Sequence, residues 1–206
     1  MDVSRHCAIS SPHYLDSKAD KKLNMESLKA TALAVPAITL TLVIILYQRL
    51  LKHDNNPRIF KGLTYLIITT SFLLNFAWEM LQMPLFEGIE MNMQSAVFCI
   101  LSSLVDTLIV LLLYYVFVII YKELFWNRHF IVQRILILMV AGSIGAILTE
   151  ILYLSAGSWK YSRSMPLIPV VNVGVSPVLQ FTVLPTVIYL LSFYFSNKPG
   201  LKKEAE

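Results

Sequence analysis

The chain has 206 residues, 56% of them hydrophobic, and only 15% are Asp, Glu, Lys or Arg. Its mean hydropathy of +0.64 lies well above that of an ordinary soluble domain, and the charges cluster between apolar blocks. No Arg/Lys stripe is interleaved with aromatics, so the net charge of +4 gives no nucleic-acid reading; it is expected from basic residues flanking membrane spans.

Residues 1–24 are polar and irregular, which predicts a disordered tail rather than a signal peptide, with Met25 as a possible second start. Residues 25–197 then read as a single all-α domain, a polytopic transmembrane helical bundle of about five spans. The spans are Ala30–Leu51, Leu63–Met83, Ser95–Tyr121, Phe130–Ala156 and Val175–Phe195. A charged tail, 198–206, follows. Cys7 and Cys99 fall in unlike environments, which argues against both a disulfide framework and a thiolate metal site.

The links between spans differ in charge. Arg49, Lys52, Arg58 and Lys61 surround the first link, Lys122, Arg128 and Arg134 the third, and Lys198, Lys202 and Lys203 the tail. The second link, "PLFEGIEMNMQ", has no Lys or Arg, and the fourth has only Lys160 and Arg163. This pattern predicts a cytoplasmic C-terminus, although the basic residues Arg5, Lys18, Lys21 and Lys22 oppose it.

Three acids lie inside the spans: Glu79, Asp106 and Glu150. An ionised side chain at the bilayer centre costs at least ~2.5–3.5 kcal/mol, so such residues usually mark function. At 1.5 Å per residue, Glu79 lies roughly 25 Å from the basic end of its span and Glu150 roughly 28 Å, while Asp106 enters roughly 16 Å from the other side. All three are therefore expected to face one cavity, with at least one of them protonated. The plain alternatives are an interfacial Glu79 and an Asp106 that only hydrogen-bonds a neighbouring helix.

Helical periodicity agrees with clustering. Ser71, Asn75, Trp78, Glu79 and Gln82 form one stripe, Cys99, Ser102, Ser103 and Asp106 a second, and Gly142, Ala146, Glu150 and Tyr153 a third. Gly142 and Ala146 make a small-xxx-small pair suited to close helix packing. The fourth link, "SAGSWKYSRSMPLIPVVNVGVSPVLQ", predicts a structured cap or re-entrant segment, with Asn172 and Gln180 adding amides to the cavity.

No nucleotide, protease, haem or nucleophile motif appears, and all four histidines lie outside the spans, so no metal and no cofactor are expected. A proton-donating carboxyl in an aromatic-lined apolar pocket suits protonation of an alkene or epoxide, with a second carboxylate and aromatic faces stabilising the cation. Glu79, Asp106 and Glu150 are the catalytic candidates. Asn75, Trp78, Gln82, Ser102, Tyr153, Trp159, Tyr161 and Gln180 are the candidates for substrate binding, and Tyr114 is a further candidate for the aromatic wall. The expected partners are the bilayer and a lipid-soluble small molecule.

"NFAWE" at Asn75–Glu79 followed by Asp106 resembles the motif of small integral-membrane terpene cyclases of fungal meroterpenoid pathways. That resemblance implies an acid role for Glu79. "TEILYLSAGSWKY" at Thr149–Tyr161 is loosely similar to a stretch of membrane carotenoid cyclases and hydratases. The five-span plan is also similar to sterol isomerases of the emopamil-binding type, but the in-span histidine expected there is absent. The reaction implied is cyclisation, isomerisation or hydration of an isoprenoid. Two other classes remain open on the residues alone: a proton- or cation-coupled transporter, and a non-catalytic lipid-binding protein.

Overall fold

The computed structural model describes residues 34–54, 56–89, 92–126 and 132–196. The expected tails at 1–24 and 198–206, Met25, Cys7 and the first residues of the first and fourth expected spans lie outside these. Five helices are long and apolar enough to cross a membrane. They are α1 (Ala34–His53), α2 (Pro57–Gln82), α3 (Met93–Tyr121), α4 (Val132–Ser155) and α5 (Val175–Ser196). A single 3-10 turn, Met83–Leu85, extends α2.

Two helix starts differ from the sequence expectation. α2 begins at Pro57, not Leu63, because Asn56 caps it (Asn56 Oδ1 accepts from the Ile59 N–H at 3.5 Å) and Pro57 fits a first helical position. Arg58 and Lys61 therefore sit in the opening turns of α2 and not in a link. α3 begins at Met93, where Asn92 Oδ1 accepts the Ser95 N–H at 2.9 Å.

α2 packs on both α3 and α5, and α5 also packs on α4, so the helices run α3–α2–α5–α4 across the bundle. α1 leans on this group mainly through its later turns, where Tyr47 stacks on Phe60 with ring centroids 5.4 Å apart. The main core lies toward the end carrying the α3–α4 link. Phe60, Tyr114, Tyr115, Trp126, Tyr189 and Phe193 fill it, and Trp126 folds back from the link to lie almost wholly buried. The Tyr114 hydroxyl donates to the Leu124 carbonyl at 3.1 Å, and Arg134 lies 4.4 Å over the Tyr121 ring, which closes that end.

The Tyr189 hydroxyl donates to the Val110 carbonyl at 2.7 Å, tying α5 to α3 inside the core. Tyr189→Phe removes that bond and leaves the ring packing intact. The expected loss is about 1 kcal/mol of unfolding free energy, read from detergent-denaturation midpoints.

At the other end the α2–α3 and α4–α5 links pair with each other. Phe86 bridges Tyr161 in antiparallel fashion, the Glu87 N–H donates to the Lys160 carbonyl at 2.8 Å, and the Ser162 N–H donates to the Leu85 carbonyl at 2.9 Å. The α4–α5 link also contains a small antiparallel hairpin, β1 (Leu167–Ile168) on β2 (Val173–Gly174). Among the described residues, these two-residue strands and the Phe86–Tyr161 bridge are the only β structure. The expected structured cap is thus present, built as a hairpin that leads straight into α5.

Candidate functional site

Beneath the cap, α2, α3 and α5 bring Glu79, Asp106 and Gln180 together. Asn75, Gln82 and Gln180 are buried, while Glu79 and Asp106 are half-buried. The carboxyl groups of Glu79 and Asp106 converge on the same amide nitrogen, Gln180 Nε2. α2 ends within one turn of Glu79, whereas α3 starts thirteen residues, or about 20 Å, before Asp106. The two helices are therefore staggered along their axes. That stagger removes the difference in depth that simple counting assigns to the two acids.

Gln180 is the centre of the cluster. Its Nε2 donates to Asn75 Oδ1 at 3.0 Å and to Asp106 Oδ2 at 3.0 Å, and lies 3.4 Å from Glu79 Oε1. Gln82 Nε2 donates to Glu79 Oε1 at 2.7 Å and to Gln180 Oε1 at 3.3 Å. Asn75 Nδ2 donates to the carbonyl of Ser71 at 2.9 Å and to its hydroxyl at 3.0 Å. The Ser176 hydroxyl donates to Gln82 Oε1 at 2.9 Å, which fixes which way the Gln82 amide points.

These contacts use every amide hydrogen. Each primary amide has two N–H bonds, and those of Asn75, Gln82 and Gln180 all have acceptors already. No amide hydrogen is left to lie between the two carboxyls, and ionised carboxylates only accept. No Lys, Arg or His pairs with either acid among the described residues. Two ionised carboxylates sharing one donor would repel each other uncompensated, which favours a proton on at least one of them.

Glu150 sits apart, held by different donors. It is 7% exposed, and Trp159 Nε1 donates to its Oε2 at 3.2 Å. The Tyr161 hydroxyl donates to the same oxygen. A Schellman turn makes this possible: the Ser158 N–H returns to the Tyr153 carbonyl at 3.0 Å and the Gly157 N–H to the Leu154 carbonyl at 2.9 Å. Gly157, with φ +67°, takes the left-handed position there and sends Trp159 and Tyr161 back over Glu150. Burial, and then the bond to Glu150, push the Tyr161 phenol above its ordinary range, so it stays protonated and remains a donor.

The candidates distribute unevenly. Asn75, Glu79, Gln82, Asp106 and Gln180 form one network. Glu150, Tyr161 and Trp159 form its neighbour, and Tyr153 stacks on Trp159 with ring centroids 4.7 Å apart. Trp78 belongs elsewhere: its ring packs against the main aromatic core, and its Nε1 is buried without a partner among the described residues. Tyr114 lies in that same core and lines no carboxyl. On α3 the buried serine is Ser103, whose hydroxyl donates to the Cys99 carbonyl of its own helix at 2.6 Å. Ser102 takes no part in the network among the described residues. Asn172 is exposed in the hairpin turn with φ +53°, not in the cavity. Ser176 is the participant that sequence reasoning missed. A serine in the first turn of an apolar helix, four residues before Gln180, was the available signal.

No group of three or more His, Cys, Asp or Glu side chains is placed to hold a metal ion among the described residues. The chain is thus a multi-pass helical membrane protein with Glu79 and Asp106 caged by amides. Neither a family model, a curated protein nor a solved structure matches it.

Proposed function

We propose that this protein is an integral-membrane enzyme that protonates an alkene or epoxide of a lipid-soluble isoprenoid, giving cyclisation, isomerisation or hydration. The observation that supports this reading most is the convergence of Glu79 and Asp106 on one amide nitrogen of Gln180. Two acids so close, with no basic side chain paired to either among the described residues, favour a retained carboxylic acid proton beside a carboxylate. Glu150, with Tyr153, Trp159 and Tyr161, supplies a second carboxylate and aromatic faces for the cationic intermediate. The likeness of Asn75–Glu79 and Asp106 to the fungal membrane terpene cyclases supports the same chemistry. The basic residues around the α1–α2 and α3–α4 links favour placing that end in the cytoplasm and the acid pair toward the opposite surface.

The test supplies a panel of linear isoprenoid alkenes and terminal epoxides to membranes containing the protein in deuterated water. Products are then read by mass for deuterium gained at carbon. Glu79→Gln and Asp106→Asn are each expected to cut product by about 10²–10⁴-fold while the protein still accumulates. No product from any panel member, or full yield from both variants, would sink the reading.

A further inference from the structure

We infer that the proton of the acid pair resides on Asp106, which makes Asp106 the group that protonates substrate and Glu79 its ionised partner. The inference rests on the proposed chemistry only for that role; the place of the proton follows from hydrogen-bond geometry. An ionised carboxylate gains more from donated hydrogen bonds than a neutral acid does. Glu79 Oε1 accepts Gln82 Nε2 at 2.7 Å, the shortest amide contact in the cluster, and has Gln180 Nε2 at 3.4 Å on the same oxygen. Asp106 has one amide contact, from Gln180 at 3.0 Å.

The donor to Glu79 is also held from a second helix. Ser176 on α5 binds Gln82 Oε1 and so keeps the Gln82 NH₂ turned toward Glu79. One effect opposes this assignment. Glu79 lies in the last turn of α2, where the helix dipole disfavours a negative charge. That effect is smaller than a short hydrogen bond to a charged group, and it weakens as the backbone continues into the 3-10 turn. Asp106 stands in the middle of α3, and its one amide contact among the described residues, from Gln180, is longer than that of Gln82 to Glu79.

In the reaction, the Asp106 O–H bond breaks and its electron pair stays on the carboxylate. The substrate π electrons form the new C–H bond. In an isomerisation, a neighbouring carbon later returns a proton to the pair, so no oxidant or other reactant is needed. Glu79 acts as a positioning residue: its charge faces Asp106, and its amide contacts keep the proton on the other acid.

Infrared spectra of the full chain in lipid nanodiscs at neutral pH test this without any substrate. The C=O stretch of a protonated carboxylic acid, shifted in deuterated water, is expected in the unsubstituted chain and in Glu79→Gln. It is expected to vanish in Asp106→Asn. Recording the same set with Glu150→Gln added removes the third acid from consideration. Should Asp106→Asn fail to fold, carbon-13 aspartate in the unsubstituted chain gives an equivalent reading, with the band expected to move. A band that ignores aspartate labelling, persists in Asp106→Asn, disappears in Glu79→Gln, or is missing from the unsubstituted chain overturns the assignment. A band on Glu79 with turnover lost in both variants would leave the enzyme reading standing and remove this one. A band on Asp106 with no product from any substrate would do the reverse.

Discussion

Replacing Gln180 with Leu is expected to cost about 3 kcal/mol or more of stability. Gln180 is 1% exposed and touches three side chains from two other helices through one amide nitrogen. A leucine of similar size leaves Asn75 Oδ1 and Asp106 Oδ2 without their donor and Gln82 Nε2 without one of its acceptors. Each buried polar group stripped of its partner costs roughly 1–3 kcal/mol, so the losses together exceed any gain from an apolar replacement. Gln180→Glu keeps the shape and, when protonated, one donated bond, so it should fall between the two. The measurement is reversible unfolding in mixed micelles. A Gln180→Leu variant within about 0.5 kcal/mol of the parent would show that the network contributes little.

The second large effect is expected at Gly142. A Cβ built there would lie 2.0 Å from the Phe181 carbonyl oxygen and 2.9 Å from its carbon. The cause lies in α5. Pro185 stands four residues after Phe181 and has no N–H, so that carbonyl lacks its usual helical donor. α4 approaches at this point, so that a Gly142 Cα–H stands where a Cβ would meet the freed oxygen. One turn of contact is reinforced beside it, where the Ser143 and Thr182 hydroxyls lie 2.6 Å apart. Gly142→Ala therefore forces α4 and α5 apart, since the clash is with backbone and not with a movable side-chain tip. The expected cost is about 3 kcal/mol, at the upper end for overpacking. Gly145, three residues on, meets nothing within 4 Å, so Gly145→Ala is the control and should be neutral or slightly stabilising. Equal behaviour of the two alanine variants in the same unfolding assay would contradict the proposed close contact.

The two effects converge on the site. Gln180 lies one residue before Phe181, so the close α4–α5 approach at Gly142 also sets where the Gln180 amide stands relative to α2 and α3. Gly142→Ala should therefore also disturb the acid pair.

Much of this protein was readable in the chain itself. Apolar length determined the five helices, because a backbone in hydrocarbon must satisfy its hydrogen bonds within each segment. The 3.6-residue period determined that Ser71, Asn75, Glu79 and Gln82 share a face, and Gly142 with Ala146 already marked a place of close approach. The tertiary structure decided which faces meet and at what height. Periodicity gives the direction of a side chain around its own axis, but says nothing of how one helix is turned or shifted against another. For that reason Trp78, on the expected stripe, joins the aromatic core, and Asp106 shares a donor with Glu79 despite the different depths that counting assigns. It is also why Gln180, 74 to 105 residues away from its partners, could be named as a cavity amide but not as the donor joining them. A hydrogen bond is fixed by a few tenths of an ångström between groups on separate helices, and that distance exists only once the helices have packed.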